Sequence, residues 1–109
     1  PVETLAMQCR AGDTSLVYTA DTGPGWEPAE LGAEPDAVLC EATLGDGEAG
    51  SAPHLSGGEA GERATRAGAG RLLLTHLLPG TDGDRRLEEA TATFDGPIEL
   101  VNVNGRYDL

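Results

Sequence analysis

The sequence predicts an α/β domain of the α+β sandwich type, a mixed sheet carrying about two main helices. Three observations point there. Apolar runs of strand length at residues 15–19, 37–40 and 71–75 each lead to a polar side chain, Asp21, Glu41 and His76 respectively. A helix-start signal, Ser56-Gly57-Gly58-Glu59, stands between the second and third runs and gives the strand, helix, strand rhythm of a parallel unit. Hairpin signals at the two ends, Gly12-Asp13 and Asn104-Gly105, add antiparallel pairing and make the sheet mixed.

In chain order, residues 4–10 alternate Leu5, Met7 and Cys9 on one side, the period of a half-buried strand. The turn Ala11-Gly12-Asp13-Thr14 joins it to the strand at 15–19. After Asp21, Thr22-Gly23-Pro24-Gly25 stops the strand, and residues 26–31 have room only for a short helical turn with Pro28 near its start. Glu34-Pro35 introduces the strand at 36–40. Residues 44–53 form a glycine-rich acidic loop without periodicity, expected to be the most mobile segment. In the S-x-x-E box the serine oxygen and the glutamate each satisfy an orphan amide, which starts a helix over 57–67 that stops at Gly68. His54 then stands two residues before the N-cap. The strand at 71–75 follows, and Thr81-x-x-Asp84 starts a second helix near 84–93. Residues 97–109 read as a closing hairpin turned at Asn104-Gly105.

The 109 residues suffice for one domain with one core, spanning 1–109. A net charge of −12, from 19 acidic residues against seven arginines and no lysine, disfavours a phosphate-backbone surface and makes nucleic acid an unexpected partner. No run approaches the roughly 20 apolar residues that cross a bilayer, and no signal-peptide pattern opens the chain, so the expectation is a cytoplasmic protein without a membrane partner. Cys9 and Cys40 sit in strand patterns, not in a C-x-x-C pair, and read as two buried thiols in preference to a disulfide.

Asp21, His54 and His76 are the candidate functional residues, with Glu41 behind them. Imidazole nitrogens and carboxylate oxygens on rigid strand ends are what a divalent cation takes, and an aspartate can bridge two ions. Each residue alone has a duller reading. Asp21 suits an Asx turn, His76 a core histidine and Glu41 a cap. Their common placement at strand ends favours a site.

Four motifs in order, Thr19-Ala20-Asp21-Thr22-Gly23-Pro24, Cys40-Glu41-Ala42-Thr43, His54-Leu55-Ser56-Gly57 and Leu74-Thr75-His76-Leu77, resemble the carboxyl-terminal half of the metallo-β-lactamase-fold phosphodiesterases. That group includes ribonuclease Z and the atypical bacterial cyclic-nucleotide phosphodiesterases. The resemblance implies the carboxyl-terminal ββα-like half of an αββα fold. It also implies two zinc ions, with manganese or another divalent ion as the alternative. Asp21 would bridge the ions and His76 would ligate one. His54 would contact the scissile phosphate and protonate the leaving group. Glu41 would support it from behind.

The family's amino-terminal H-x-H-x-D-H cluster has no counterpart, since His54 and His76 are the only histidines. The expectation is therefore a fragment, inactive alone, whose partner is the missing amino-terminal half of the fold. A small phosphodiester such as a cyclic nucleotide is the favoured substrate, because only twenty residues precede Asp21 and leave no room for a tRNA-gripping arm. The alternatives are tRNA 3′ processing and a non-catalytic α/β module. That module would cover its apolar strands with a partner chain or by association into a homo-oligomer.

Overall fold

The computed structural model describes residues 4–32 and 34–109. Five strands form one mixed sheet: β1 (Met7–Ala11), β2 (Thr14–Tyr18), β3 (Ala37–Glu41), β4 (Leu72–Thr75) and β5 (Ile98–Leu100), paired in that order. Only β1 and β2 are antiparallel, joined by a two-residue turn at Gly12-Asp13 with Ala11 opposite Thr14. The pairs β2/β3, β3/β4 and β4/β5 are parallel. Parallel neighbours need crossovers. A one-turn 3-10 helix at Pro28–Leu31 sits in the first, α1 (Gly57–Ala67) in the second and α2 (Gly83–Thr91) in the third.

Alternation along the strands divides the sheet into two faces. Val17, Val38, Cys40, Leu72 and Leu74 are fully buried and pack with Ala60 and Ala64 of α1, Ala90 of α2, Leu55 and Phe94. Small residues let the two helices approach closely. A side chain at Gly61 would overlap Thr93, whose hydroxyl instead donates to the Gly58 carbonyl at 2.7 Å. Leu16, Leu39 and Leu73 point to the opposite face, which the chain's end crosses. Tyr107 and Leu109 lie beside these leucines, and Arg71 holds the segment by donating to the Asp108 carbonyl at 2.8 Å.

The first helix forms as its sequence requires. The Ser56 hydroxyl accepts from the Glu59 amide at 3.1 Å, and the Glu59 carboxylate accepts from the Ser56 amide at 2.9 Å. Gly68 then closes it at φ +66°, a conformation glycine adopts without strain.

Several expectations need correction. Strand β1 is not half-buried. Met7 is 51% and Leu5 70% exposed, and Cys9 is exposed, because the helices cover β3 to β5 and leave this edge bare. Only Cys40 is a buried thiol; both cysteines are free. The second helix is capped by Asp82, whose carboxylate accepts from the Arg85 amide at 3.3 Å, while the Thr81 amide is already committed to the Leu78 carbonyl. The acidic loop is tied down. It holds a 3-10 turn at Asp46–Glu48, the Asp46 carboxylate accepts from the Gly58 amide at 2.8 Å, and the Asp46 amide donates to Glu89 at 2.7 Å. No closing hairpin forms among the described residues. β5 pairs in parallel with β4, and the turn at 102–105 sends the chain back across the sheet.

Candidate metal and phosphate centre

The parallel order β2-β3-β4 brings three carboxyl ends to one edge of the sheet. Asp21 lies three residues past β2, Glu41 ends β3 and His76 directly follows β4. The backbone turns sharply at two of these tips, with Ala20 at φ +53° and His76 at φ +59°. Residues other than glycine rarely adopt this left-handed region, and where they do the surroundings must hold them there. His54 arrives from the loop between β3 and α1, just before the Ser56 cap.

Glu41 is the hub of the group and is wholly buried. Its Oε1 accepts from the Thr22 amide at 2.6 Å, its Oε2 from the Thr43 hydroxyl at 2.6 Å, and both oxygens lie 3.0–3.1 Å from His54 Nδ1. An ionised carboxylate has no proton to give, so Nδ1 of His54 is the donor. That leaves Nε2 as the ring nitrogen not engaged by Glu41.

His76 is oriented in the same way. Its Nδ1 lies 2.7 Å from the Thr43 hydroxyl and 3.4 Å from Asp21 Oδ1. Thr43 has one proton, and its shortest acceptor is Glu41, so its lone pair receives the Nδ1 proton of His76 and Nε2 of His76 keeps a free lone pair. The two imidazole rings stand 5.4 Å apart.

All four residues singled out in the sequence are thus brought together. The tightest cluster of donor atoms is Glu41, His54 and His76, within 4.8 Å of one another. That closeness reflects hydrogen bonding through Glu41, whose oxygens are already used. Asp21 is about half exposed, its one ion-pair contact among the described residues being with His76 at 3.4 Å, and His76 offers its Nε2 lone pair. The donor set fits a divalent metal that draws its remaining ligands from elsewhere.

Two participants were not foreseen. Thr43 was in view within Glu41-Ala42-Thr43, yet a hydroxyl in a motif carries no mark of linking two functional groups. Thr19 also contributes, its hydroxyl receiving the Glu41 amide at 3.2 Å.

No protein-family model matches the chain. An uncharacterised protein of Mycobacterium tuberculosis is 43% identical along 111 aligned positions, covering 100% of this chain and 41% of that protein. The probable metallo-hydrolase YhfI of Bacillus subtilis is 35% identical, with 93% of this chain and 42% of YhfI covered. A ribonuclease Z of Halorubrum lacusprofundi is 38% identical over 78% of this chain and 29% of its own length. The crystal structure of YhfI, a metallo-β-lactamase-fold protein, superimposes with a TM-score of 0.83 over the same 93% and 42% of the two chains. The chain therefore spans less than half the length of these relatives. By sequence the chain is a homologue of YhfI and ribonuclease Z, and by fold it superimposes on part of a metallo-β-lactamase-fold structure, consistent with a carboxyl-terminal half.

Proposed function

We propose that this chain forms one wall of the centre of a metal-dependent phosphodiesterase acting on a small substrate such as a cyclic nucleotide. The observation that carries the reading is the convergence of Asp21, Glu41 and His76 on adjacent strand tips, with His54 hydrogen-bonded to Glu41. Asp21 and His76 would hold a divalent cation, zinc being favoured for its taste for imidazole and carboxylate. Such a cation would supply positive charge that offsets the charge of a phosphoryl group.

The chain's own residues supply proton handling and orientation. Glu41 fixes the His54 ring through Nδ1, which leaves Nε2 as the nitrogen that could exchange a proton with a leaving oxygen. Burial of Glu41 keeps water from competing for that contact. Thr43 and Asp21 steady His76 at its left-handed turn. Further ligands for the cation would come from the other half of the fold, and the chain alone would then be inactive.

The net charge of −12 favours a small substrate over an RNA. The relatives called ribonuclease Z keep tRNA processing as the second reading. The intact protein, loaded with zinc, is to be assayed on cyclic AMP and on precursor tRNA. Hydrolysis of cyclic AMP that chelation abolishes and added zinc restores is expected. Preferential tRNA cleavage would replace the proposal with the second reading, and inertness toward both would sink a hydrolytic role.

A further inference from the structure

We infer that Arg86, on the helix α2 behind the sheet, is a positioning residue for the site, acting through Thr43 on the ring of His76. Segment 42–44 has left the strand ladder. The amides of Ala42 and Leu44 still find the Thr75 and Leu55 carbonyls, at 3.0 and 3.1 Å. The carbonyls of Ala42 and Thr43 both face α2. Two successive buried acceptors on one side are costly unless a donor meets both. Arg86 does so, with Nε donating to the Ala42 oxygen at 3.1 Å and Nη2 to the Thr43 oxygen at 3.3 Å.

The third guanidinium nitrogen, Nη1, donates to Glu89 at 3.3 Å, and Glu89 in turn accepts from the Asp46 amide at 2.7 Å. Arg86 is only 7% exposed, and each of its three guanidinium nitrogens meets an acceptor of its own chain. The fork grips the peptide whose side chain is the Thr43 hydroxyl, and that hydroxyl lies within 2.7 Å of both Glu41 and His76. Displacement of the segment moves the hydroxyl away from His76 Nδ1. The ring then loses the acceptor that keeps the proton on Nδ1 and the lone pair on Nε2.

Arg86→Lys keeps the charge and loses the fork, since one ammonium cannot meet two carbonyls and Glu89 in the same geometry. The functional meaning of this inference rests on the proposed role of His76, so its test has one readout that does not. In the metal-free intact protein near pH 8, proton–nitrogen correlation spectra of the His76 ring report its tautomer. Wild type and Thr43→Ser are expected to show the Nδ1-protonated form. Thr43→Val and Arg86→Lys are expected to shift the population toward the Nε2-protonated form. The second readout is zinc affinity by chelator competition, with a loss of roughly tenfold or more for each variant. The double variant should be no weaker than Thr43→Val alone, because both act on one contact.

An unchanged tautomer in folded Arg86→Lys, or losses that multiply in the double variant, would overturn the assignment. If Arg86→Lys does not fold, Arg86→Gln keeps one amide donor and takes its place. Should neither fold, Arg86 serves stability and the positioning role is withdrawn. Absence of zinc binding in wild type together with the expected tautomer shifts would sink the metal reading while leaving the positioning of His76 intact.

Discussion

Two carboxylates stand at neighbouring strand tips and live in opposite surroundings. Glu41 is wholly buried and receives an amide, a hydroxyl and an imidazole, so every lone pair that matters is engaged. Asp21 is about half exposed, and its one ion pair among the described residues is with His76, at a distance too long for a strong hydrogen bond. A carboxylate built into a network is part of the scaffold, whereas one presented on a rigid tip with open oxygens is free to meet something from outside. Structure and binding should therefore separate on mutation.

The largest effect is expected at Glu41. Glu41→Ala leaves the Thr22 amide, the Thr43 hydroxyl and the His54 ring without their common acceptor, in a place where water does not replace it. Loss of one partner from such a buried cluster costs about 3–5 kcal/mol. Urea denaturation of the variant measures this, and a loss below about 1 kcal/mol would mean that the burial of Glu41 has little to do with the fold. Asp21→Asn is the counterpart. Stability should stay within about 0.5 kcal/mol, the range of surface substitutions. Zinc affinity in the intact protein should fall by about 100-fold or more, because a neutral amide replaces an anionic ligand. An Asp21→Asn protein that binds zinc as wild type does would erase the contrast.

A third test asks whether burial controls chemistry elsewhere on the same strand. Cys40 lies one residue before Glu41, and burial pushes its thiol from 9.0 up to about 12, whereas Cys9 on the bare edge is exposed. In the unfolded chain Cys40 would ionise at its ordinary value, so above pH 9 the unfolded state binds fewer protons than the folded one. Stability from this group is complete below pH 9 and is lost as pH rises toward about 12, at up to about 1.4 kcal/mol per pH unit. Cys40→Ala should flatten that slope in alkaline urea titrations. A thiol reagent should label one cysteine per native chain, and rapid labelling of two would show that the sheet opens at β3.

What the sequence revealed follows the same division between local and distant causes. The strand tips of Asp21, Glu41 and His76 were legible because apolar runs of strand length end there, and α1 was legible because its capping box and closing glycine act within a few residues. Thr43 and Arg86 were not. Arg86 stands beside Arg85 on a polar helix, where adjacent arginines look alike, and only the tertiary fold buries one and leaves the other outside. The Asn104-Gly105 signal did make a turn, but β4 had already claimed β5 in parallel, a pairing no local pattern announces. Alternation at Leu5, Met7 and Cys9 marks an apolar face and says nothing of whether a layer covers it.

The smallest expected effects come from the helix caps, where the same contrast between enclosed and open groups recurs. Ser56 is almost fully buried, and its hydroxyl and amide both belong to a closed pair with Glu59. Asp82 makes one exposed contact of 3.3 Å to the Arg85 amide. Ser56→Ala leaves the partly buried Glu59 amide without its acceptor and should cost about 1 to 2 kcal/mol, the upper part of the range for caps. Asp82→Ala exposes the Arg85 amide to water, which takes over the hydrogen bond, so its cost should lie near 0.5 kcal/mol. The Ser56 variant should also disturb the site, because His54 is anchored only two residues away, and its ring signals should move. If the two variants were equally costly in urea, burial would not be what separates the caps, and the distinction between Glu41 and Asp21 would lose its physical basis as well.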